Sequence, residues 1–199
     1  MKDYELKAET VKYAVNAPPI EMFAFGELVL DVRGPFFEHM ATFMVAWAGL
    51  MSAFDEARYG NHMDSIAQTF AGKIHAGVDI AESIRAARAG TLKRERSEIS
   101  LCTMLAVTVK ESLSDADRDK IKGPVYEVLR HVRNAAAHGN TWSFNDREPS
   151  RPAKSRNFEI DPQKGDTNPL QGKPCFNGSL MPADLLFLVR DVEILLMKP

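Results

Sequence analysis

The segment that decides the expected fold runs from Gly123 to Gly139 and reads Gly-Pro-Val-Tyr-Glu-Val-Leu-Arg-His-Val-Arg-Asn-Ala-Ala-Ala-His-Gly. Proline is favoured at the first position of a helix, where its missing N–H costs nothing, and glycine is common just after the last turn. The segment therefore predicts a helix between Pro124 and Gly139. At about 100° per residue, its apolar side chains fall on one arc. That arc holds Val125, Val128, Leu129, Val132, Ala135 and Ala136.

The polar side chains of this predicted helix fall on the opposite arc. They are Glu127, Arg130, Asn134 and His138, with His131 and Arg133 at the margins. Residues four apart are neighbours on a helix surface, so Asn134 and His138 are expected to lie together. We predict that Val128, Leu129 and Val132 are buried, and that Arg130 and Asn134 lie at a surface, cleft or subunit interface. The alternative interpretation is a solvated helix end, where cations are favoured by the helix dipole alone.

Three residues of this segment, Arg133, Asn134 and His138, are called the Arg-Asn-His motif below. A guanidinium matches phosphate oxygens with two donors, and an imidazole has a pKa naturally near neutrality. An amide can orient the imidazole or hold the phosphate. The motif therefore indicates chemistry on a phosphodiester.

The spacing Arg133-Asn134-x-x-x-His138 resembles the signature of the HEPN domain superfamily, in which an arginine and a polar residue precede a histidine. The superfamily consists of small α-helical bundles. Many members are metal-independent endoribonucleases of toxin–antitoxin and defence systems, and others are non-catalytic binding or dimerisation modules. The match covers about ten residues, and the helical layout over roughly residues 35–140 is compatible with it.

The resemblance implies that Arg133 and His138 are the catalytic pair and that Asn134 occupies the polar position. It implies cleavage of RNA by attack of the ribose 2′-oxygen, with no cofactor. It also implies a homodimer with a composite cleft, with RNA or a nucleotide as ligand and an antitoxin protein as a further partner. The alternative that stays open is a non-catalytic module that binds a nucleotide or a partner, or simply dimerises, through the same face.

The composition sets limits on these interpretations. The 199 residues are 45% hydrophobic, which is enough for one domain with a substantial core. A net charge of −2 and a pI near 6.2 argue against bulk electrostatic binding to nucleic acid, so RNA contacts would be local. Cys102 and Cys175 form no metal-binding pattern, and we expect Cys102 to be a buried thiol.

The termini and apolar runs predict a cytoplasmic protein without a membrane segment. The first residues, Met1 to Glu5, contain no apolar signal sequence. The most apolar run, Met40 to Phe54, is too short to span a bilayer.

The hydrophobic periodicity predicts a mainly α fold: a bundle of about five helices, with a proline-rich loop or small β-hairpin and a C-terminal helix. The 199 residues are expected to form a single domain. Besides the motif helix, the expected helices cover about residues 35–59, 63–89, 93–112, a short stretch after the N-cap Ser114, and 183–197.

Residues 140–181 are expected to be an irregular excursion within this domain, since six prolines lie at 149–182. Within it, 157–160 and 174–177 either pair as a hairpin or form loops. Trp142 and Phe144 either stack on a base or, as we favour, anchor the loop to the bundle. Beside the motif, the residues expected to contact RNA are Arg130, His131, Asn140, Arg147 and Arg151.

No motif for a metal or nucleotide cofactor accompanies this pattern. The sequence has no HExxH, GxGxxG, P-loop or GxSxG spacing. His131 and His138 lie on nearly the same side of the predicted helix, but two turns separate them by about 10 Å, which is too far for one ion. We therefore expect no metal and no cofactor.

Overall fold

The computed structural model describes residues 22–25, 28–54, 67–70 and 76–199. These residues fall into two compact units, one made of the described residues up to Thr42 with Cys102–Pro199, and the other of the described residues from Phe43 to Leu101. The fold is mainly helical, as predicted, with six helices among the described residues, small antiparallel hairpins and a C-terminal helix. The expectation of a single domain over 1–199 stays a prediction. In the described part of the chain, no helix is long and apolar enough to cross a membrane.

The first unit contains a hairpin of β1 (Met22–Phe25) and β2 (Leu28–Asp31), and the start of α1 (Phe37–Phe54). It continues with the second half of α3 (Arg94–Ser112), then α4 (Asp115–Lys120), α5 (Pro124–Ala137) and α6 (Pro182–Met197). The motif helix α5 packs against α6 and against the strand β5 (Ala153–Ser155). Its central side chains Val128, Leu129 and Val132 are buried, as predicted.

The ends of the helices follow the residues that were expected to set them. Pro124 is at the start of α5, and Gly139 follows its end with a φ of 74°, a left-handed conformation that glycine adopts without strain. Ser114 caps α4 through a capping box with Asp117, which confirms the predicted N-cap. Predicted helices 93–112 and 183–197 correspond to α3 and α6.

A buried carboxylate joins α6 to the start of α1. Glu193 is fully buried, accepts the Phe36 N–H at 3.0 Å and is ion-paired with Arg190. A Cβ on Gly34 would overlap the Glu193 carboxylate, so this glycine is required by close approach and not by its backbone angles. The amphipathic pattern of α6 did not reveal that Glu193 faces inward.

The segment between α5 and α6 is irregular but closely tied to the helices. β5 pairs with β6 (Phe158–Ile160) through a two-residue turn in which Arg156 has a φ of 51°. The predicted pairing of 157–160 with 174–177 is therefore wrong. Isolated bridges instead join Thr141 to Pro174, close to the end of α5, and Phe176 to Leu180. A local hairpin closes a shorter loop and so loses less chain entropy.

The second unit contains the remainder of α1, a hairpin of β3 (Ala67–Phe70) and β4 (Ala76–Asp79), and α2 (Ile80–Arg88). The predicted helix 63–89 is wrong at 67–70 and 76–79, which are strands, and is confirmed at Ile80–Arg88, while 63–66 and 71–75 lie outside the described residues. Gly77 lies in β4, and a helix-interior glycine costs about 1 kcal/mol relative to alanine. The predicted end of the first helix, 55–59, lies outside the described residues.

Candidate functional site

The Arg-Asn-His motif lies at the C-terminal end of α5. Asn134 is half-buried, while His138 is exposed and follows the last helical residue. The backbone N–H of His138 donates to the carbonyls of Asn134 and Ala135, which fixes the position of its Cα in the closing turn. The imidazole is therefore presented to solvent from a fixed backbone.

Arg133 is held beside Asn134 by an ion pair from another helix. Its Nη2 lies 2.7 Å from Oε1 of Glu111 on α3, and its Nη1 lies 3.5 Å from Oδ1 of Asn134. The side chains of Arg133 and Glu111 are 30% and 46% exposed, so the pair is open to solvent. Lys110 also approaches Oε1 of Glu111, at 3.8 Å. The structure thus brings together Arg133 and Asn134, with Glu111 as a third member.

Within the described residues, no hydrogen bond joins the Arg133 guanidinium to the His138 ring. The buried Nε of Arg133 has no hydrogen-bond partner there either. Glu111 was not predicted as part of the site. Its position in α3, near the C-terminal end of that helix, carries no signal in the sequence that it would meet α5.

Arg130 lies between two carboxylates, which accounts for its half-buried position. Its Nε donates to Glu127 at 2.9 Å and its Nη1 donates to Glu148 at 2.5 Å. Burial alone would lower the pKa of this guanidinium, but its hydrogen bonds to Glu148 and Glu127 outweigh burial and raise the pKa. Arg151 also lies 3.5 Å from Glu127. Arg130 is consequently a paired structural cation, with 24% of its side chain exposed.

His131 and Glu127 were expected on the polar arc, and the structure corrects this placement. Both are buried, His131 at 2% exposure and Glu127 at 4%. The reason is tertiary: the chain after α5 folds back, so that Glu148 and Arg151 reach the arc and Phe144 packs 5.2 Å from the His131 ring. His131 is therefore enclosed and is not exposed to a ligand in this structure.

The contact between His131 and Arg130 defines the tautomer of His131, whose Nδ1 has no hydrogen-bond partner among the described residues. Nη2 of Arg130 lies 2.9 Å from Nε2 of His131, and a guanidinium can only donate. Nε2 therefore accepts, and the ring proton lies on Nδ1. Burial, and then the charge of Arg130, lower the pKa of His131 to about 4.

A pH dependence of stability follows from this histidine. The folded pKa of about 4 is below the unfolded value of 6.5, so protons bind preferentially to the unfolded chain. The stabilising contribution of neutral His131 is fully present above pH 6.5 and is lost as the pH falls towards 4. We expect the free energy of unfolding to fall by up to about 3 kcal/mol across that window. Urea titrations of wild type and His131→Gln at several pH values would measure it. An equal fall in both proteins would contradict the assignment.

The other residues expected to contact RNA have different surroundings. Asn140, with a φ of 63°, donates through Nδ2 to the Phe176 carbonyl and accepts the Phe176 N–H through Oδ1. Its amide therefore makes the same pair of hydrogen bonds to Phe176 that a backbone partner in a β-sheet would make, and it fixes the loop around residue 176. Arg147 is exposed, and Arg151 has 58% of its side chain exposed despite its contact with Glu127. Only these two side chains of the predicted set are well placed to meet a ligand from solvent.

The two aromatic residues after the motif anchor the chain, as favoured. Trp142 and Phe144 are buried, and the Trp142 Nε1–H donates to the Ser179 hydroxyl at 3.0 Å. Cys102 and Cys175 are buried free thiols. Among the described residues, no three His, Cys, Asp or Glu side chains are grouped so that they could hold a metal ion.

Comparisons with protein-family models, with curated proteins and with solved structures found no match.

Proposed function

We propose that this protein is a metal-independent endoribonuclease similar to those of the HEPN superfamily. The observation that carries the proposal is the placement of the motif. His138 is exposed at the end of α5, and Arg133 and Asn134 lie in its preceding turn with their polar groups in contact. Cleavage of a phosphodiester by the neighbouring 2′-oxygen requires a cation and a group that can move a proton. Arg133 and His138 supply these two groups at one exposed helix end.

In the proposed reaction, the ribose 2′-oxygen attacks the adjacent phosphorus and the bond from phosphorus to the 5′-oxygen breaks. A histidine accepts the proton from the 2′-hydroxyl, and a proton is donated to the departing 5′-oxygen. Arg133 stabilises the charge on the phosphorane oxygens, and Asn134 orients Arg133. The products are a 2′,3′-cyclic phosphate and a 5′-hydroxyl.

A homodimer belongs to this proposal, because each copy supplies one His138 and the reaction needs both a base and an acid. Two copies related by a two-fold axis would bring two histidines and two arginines to one groove. Sedimentation of the purified protein would establish whether a dimer forms.

The decisive experiment is incubation of purified protein with varied RNA in excess EDTA. Cleavage should persist, leave 2′,3′-cyclic phosphate ends and spare DNA of the same sequence. If RNA stays intact, including after separation from any co-purified protein, the nuclease proposal fails.

One observation favours a second candidate, a non-catalytic module that binds a nucleotide or partner. The Arg133 guanidinium is already paired with Glu111 at 2.7 Å, and Arg130 is paired with Glu127 and Glu148. A substrate phosphate would have to compete with a carboxylate for Arg133. A protein that never binds phosphate at this point would have no such competition.

Glu111→Gln separates the two candidates. If Arg133 binds a phosphate, removing the competing charge should strengthen RNA binding at low salt by about 2- to 5-fold, the size expected for an exposed ion pair. A fluorescence titration with a non-cleavable RNA, carrying 2′-deoxyribose at the cleaved position, measures this. Glu159→Gln is the matched control, because Glu159 is in an exposed pair with Lys154. An equal gain in both variants would show a net-charge effect only, and no gain would favour the second candidate.

A further inference from the structure

A cavity of about 400 Å³ lies between the β5–β6 turn and α6, and it belongs to no part of the proposed active site. Small-molecule sites in proteins occupy roughly 300–1,000 Å³. Val128, Leu180 and Leu188 line it and are buried, which gives it an apolar floor. Arg156, Asn157 and Asp184 also line it and are exposed, which gives it a polar rim.

The planar guanidinium group of Arg156 is held in a fixed position at this rim. Its guanidinium makes a two-pronged ion pair with Asp191, with distances from 2.9 to 3.2 Å. Its Cζ also lies 4.3 Å from the centre of the Phe187 ring. Close to half of the side chain, 48%, is nevertheless exposed. An arginine held in this way presents a planar surface on which a nucleobase can stack.

The charges around the Arg156 guanidinium disfavour the binding of a phosphate. Asp191 neutralises Arg156, and Asp184 adds a further negative charge at the same cavity. A phosphate group inside the cavity would therefore be repelled, whereas the uncharged ring of a base would not.

The remaining polar groups fit the edge of a base. Asp184 uses Oδ2 to accept the Met181 N–H, and Oδ1 makes no hydrogen bond to the described residues. The side-chain amide of Asn157, which also lines the cavity, carries one acceptor and two donors. A carboxylate oxygen can accept the N1–H and the amino group of guanine. Adenine has no N–H at that ring position.

We propose that this cavity binds a nucleobase, with guanine preferred, stacked on Arg156 and bound at its edge by Asp184 and Asn157. The base is supplied either by a free nucleoside or by single-stranded RNA. Val128 in the cavity precedes His138 by about 15 Å along α5, so one RNA strand could reach both places. The site does not depend on RNA cleavage, since base binding needs none of the motif residues.

The test is binding of guanosine to the full chain, measured by calorimetry and by saturation-transfer NMR. We expect a Kd between about 10 µM and 1 mM, ordinary for a ligand of this size. Guanosine should bind at least as tightly as GMP and more tightly than adenosine or cytidine. Tighter binding of agmatine, an organic cation, would overturn the proposal, because Asp184 would then be a cation site.

Two conservative variants distinguish a loss of base binding from a general loss of folded structure. Arg156→Lys keeps the charge beside Asp191 but loses the planar surface, and should weaken guanosine binding by about 10-fold or more. Asp184→Asn keeps an oxygen for the Met181 N–H and should remove the preference for guanosine over adenosine. Arg33→Lys, at an exposed position, is the control. Unchanged affinity in Arg156→Lys would overturn the proposal, whether or not melting temperatures change.

Short RNAs distinguish the two sources of the base. If RNA is the ligand, UUUGUUU should bind more tightly than guanosine and more tightly than UUUAUUU. If a free nucleoside is the ligand, UUUGUUU should bind no more tightly than guanosine. Equal binding of both RNAs together with no nucleoside binding would overturn base recognition here, while cleavage tests of the motif would be unaffected.

Discussion

Replacing His138 or Arg133 by alanine should lower the rate of RNA cleavage by about 10²- to 10⁴-fold, the usual cost of losing a general acid–base or a donor to developing charge. His138 is expected to move a proton, and no other histidine is available to replace it on this helix, because His131 is buried with its Nε2 beside Arg130. The rate of cleavage of a labelled RNA, measured in EDTA, reports the effect.

Both variants should stay folded, which distinguishes a catalytic role from a structural one. His138 is exposed, and Arg133 is in a solvent-exposed ion pair of a kind worth about 1 kcal/mol or less. Arg33→Ala, at an exposed position, is the control and should cleave like wild type. A marked fall in melting temperature for His138→Ala, with cleavage lost only in proportion to unfolding, would contradict the catalytic assignment.

The second large effect is expected in stability, at the buried carboxylate of α6. Arg190→Ala should lower the free energy of unfolding by about 3–5 kcal/mol, because it leaves a fully buried Glu193 charge whose remaining hydrogen-bond donor, among the described residues, is the Phe36 N–H. Denaturant titration followed by circular dichroism measures the loss.

Two comparisons show whether burial causes that loss. The double variant Arg190→Met with Glu193→Met should recover part of it, since apolar side chains avoid the desolvation cost of the pair. Lys154→Ala breaks an exposed pair with Glu159 and should cost less than about 1 kcal/mol. A similar small loss for Arg190→Ala and Lys154→Ala would show that the Glu193 pair contributes little.

The parts of the fold that could be predicted are those set by local residues. Pro124 and Gly139 bound α5, and Ser114 with Asp117 begins α4, because each acts within one turn of the chain. Pro124 lacks an N–H, Gly139 adopts a left-handed φ, and the capping box satisfies backbone N–H groups. The apolar arc of α5 was predictable for the same reason, since its period follows from helix geometry alone.

The predictions failed where contacts between residues far apart in the sequence determine the structure. Ile66, Phe70, Ile74 and Val78 are spaced as on a helix, yet 67–70 and 76–79 pair as strands. The spacing alone could not distinguish a helix from a strand. Gly77 is the local residue among the strand pairs that most disfavours a helix. The burial of Glu127 and His131 depends on Glu148 and Phe144, which approach only after the chain reverses.

The candidate site shows the same division. The motif residues were identifiable by their spacing within one helix, because helix geometry places them near one end. Glu111 was not, since the contact between α3 and α5 depends on packing. The contacts of Arg156 could likewise not be predicted, because Asp191 and Phe187 are more than thirty residues further along the chain.

The pairing of the arginines around α5 bears on how the protein would meet RNA. Because Arg130 and Arg133 already have carboxylate partners, few phosphates would gain a new counter-charge on binding, and few condensed ions would be released. The affinity for RNA would then change little with salt concentration, and long-range attraction would contribute little to the encounter rate. Most of the RNA in a cell would be bound weakly. Selectivity would depend on short-range fit at the strand that is bound.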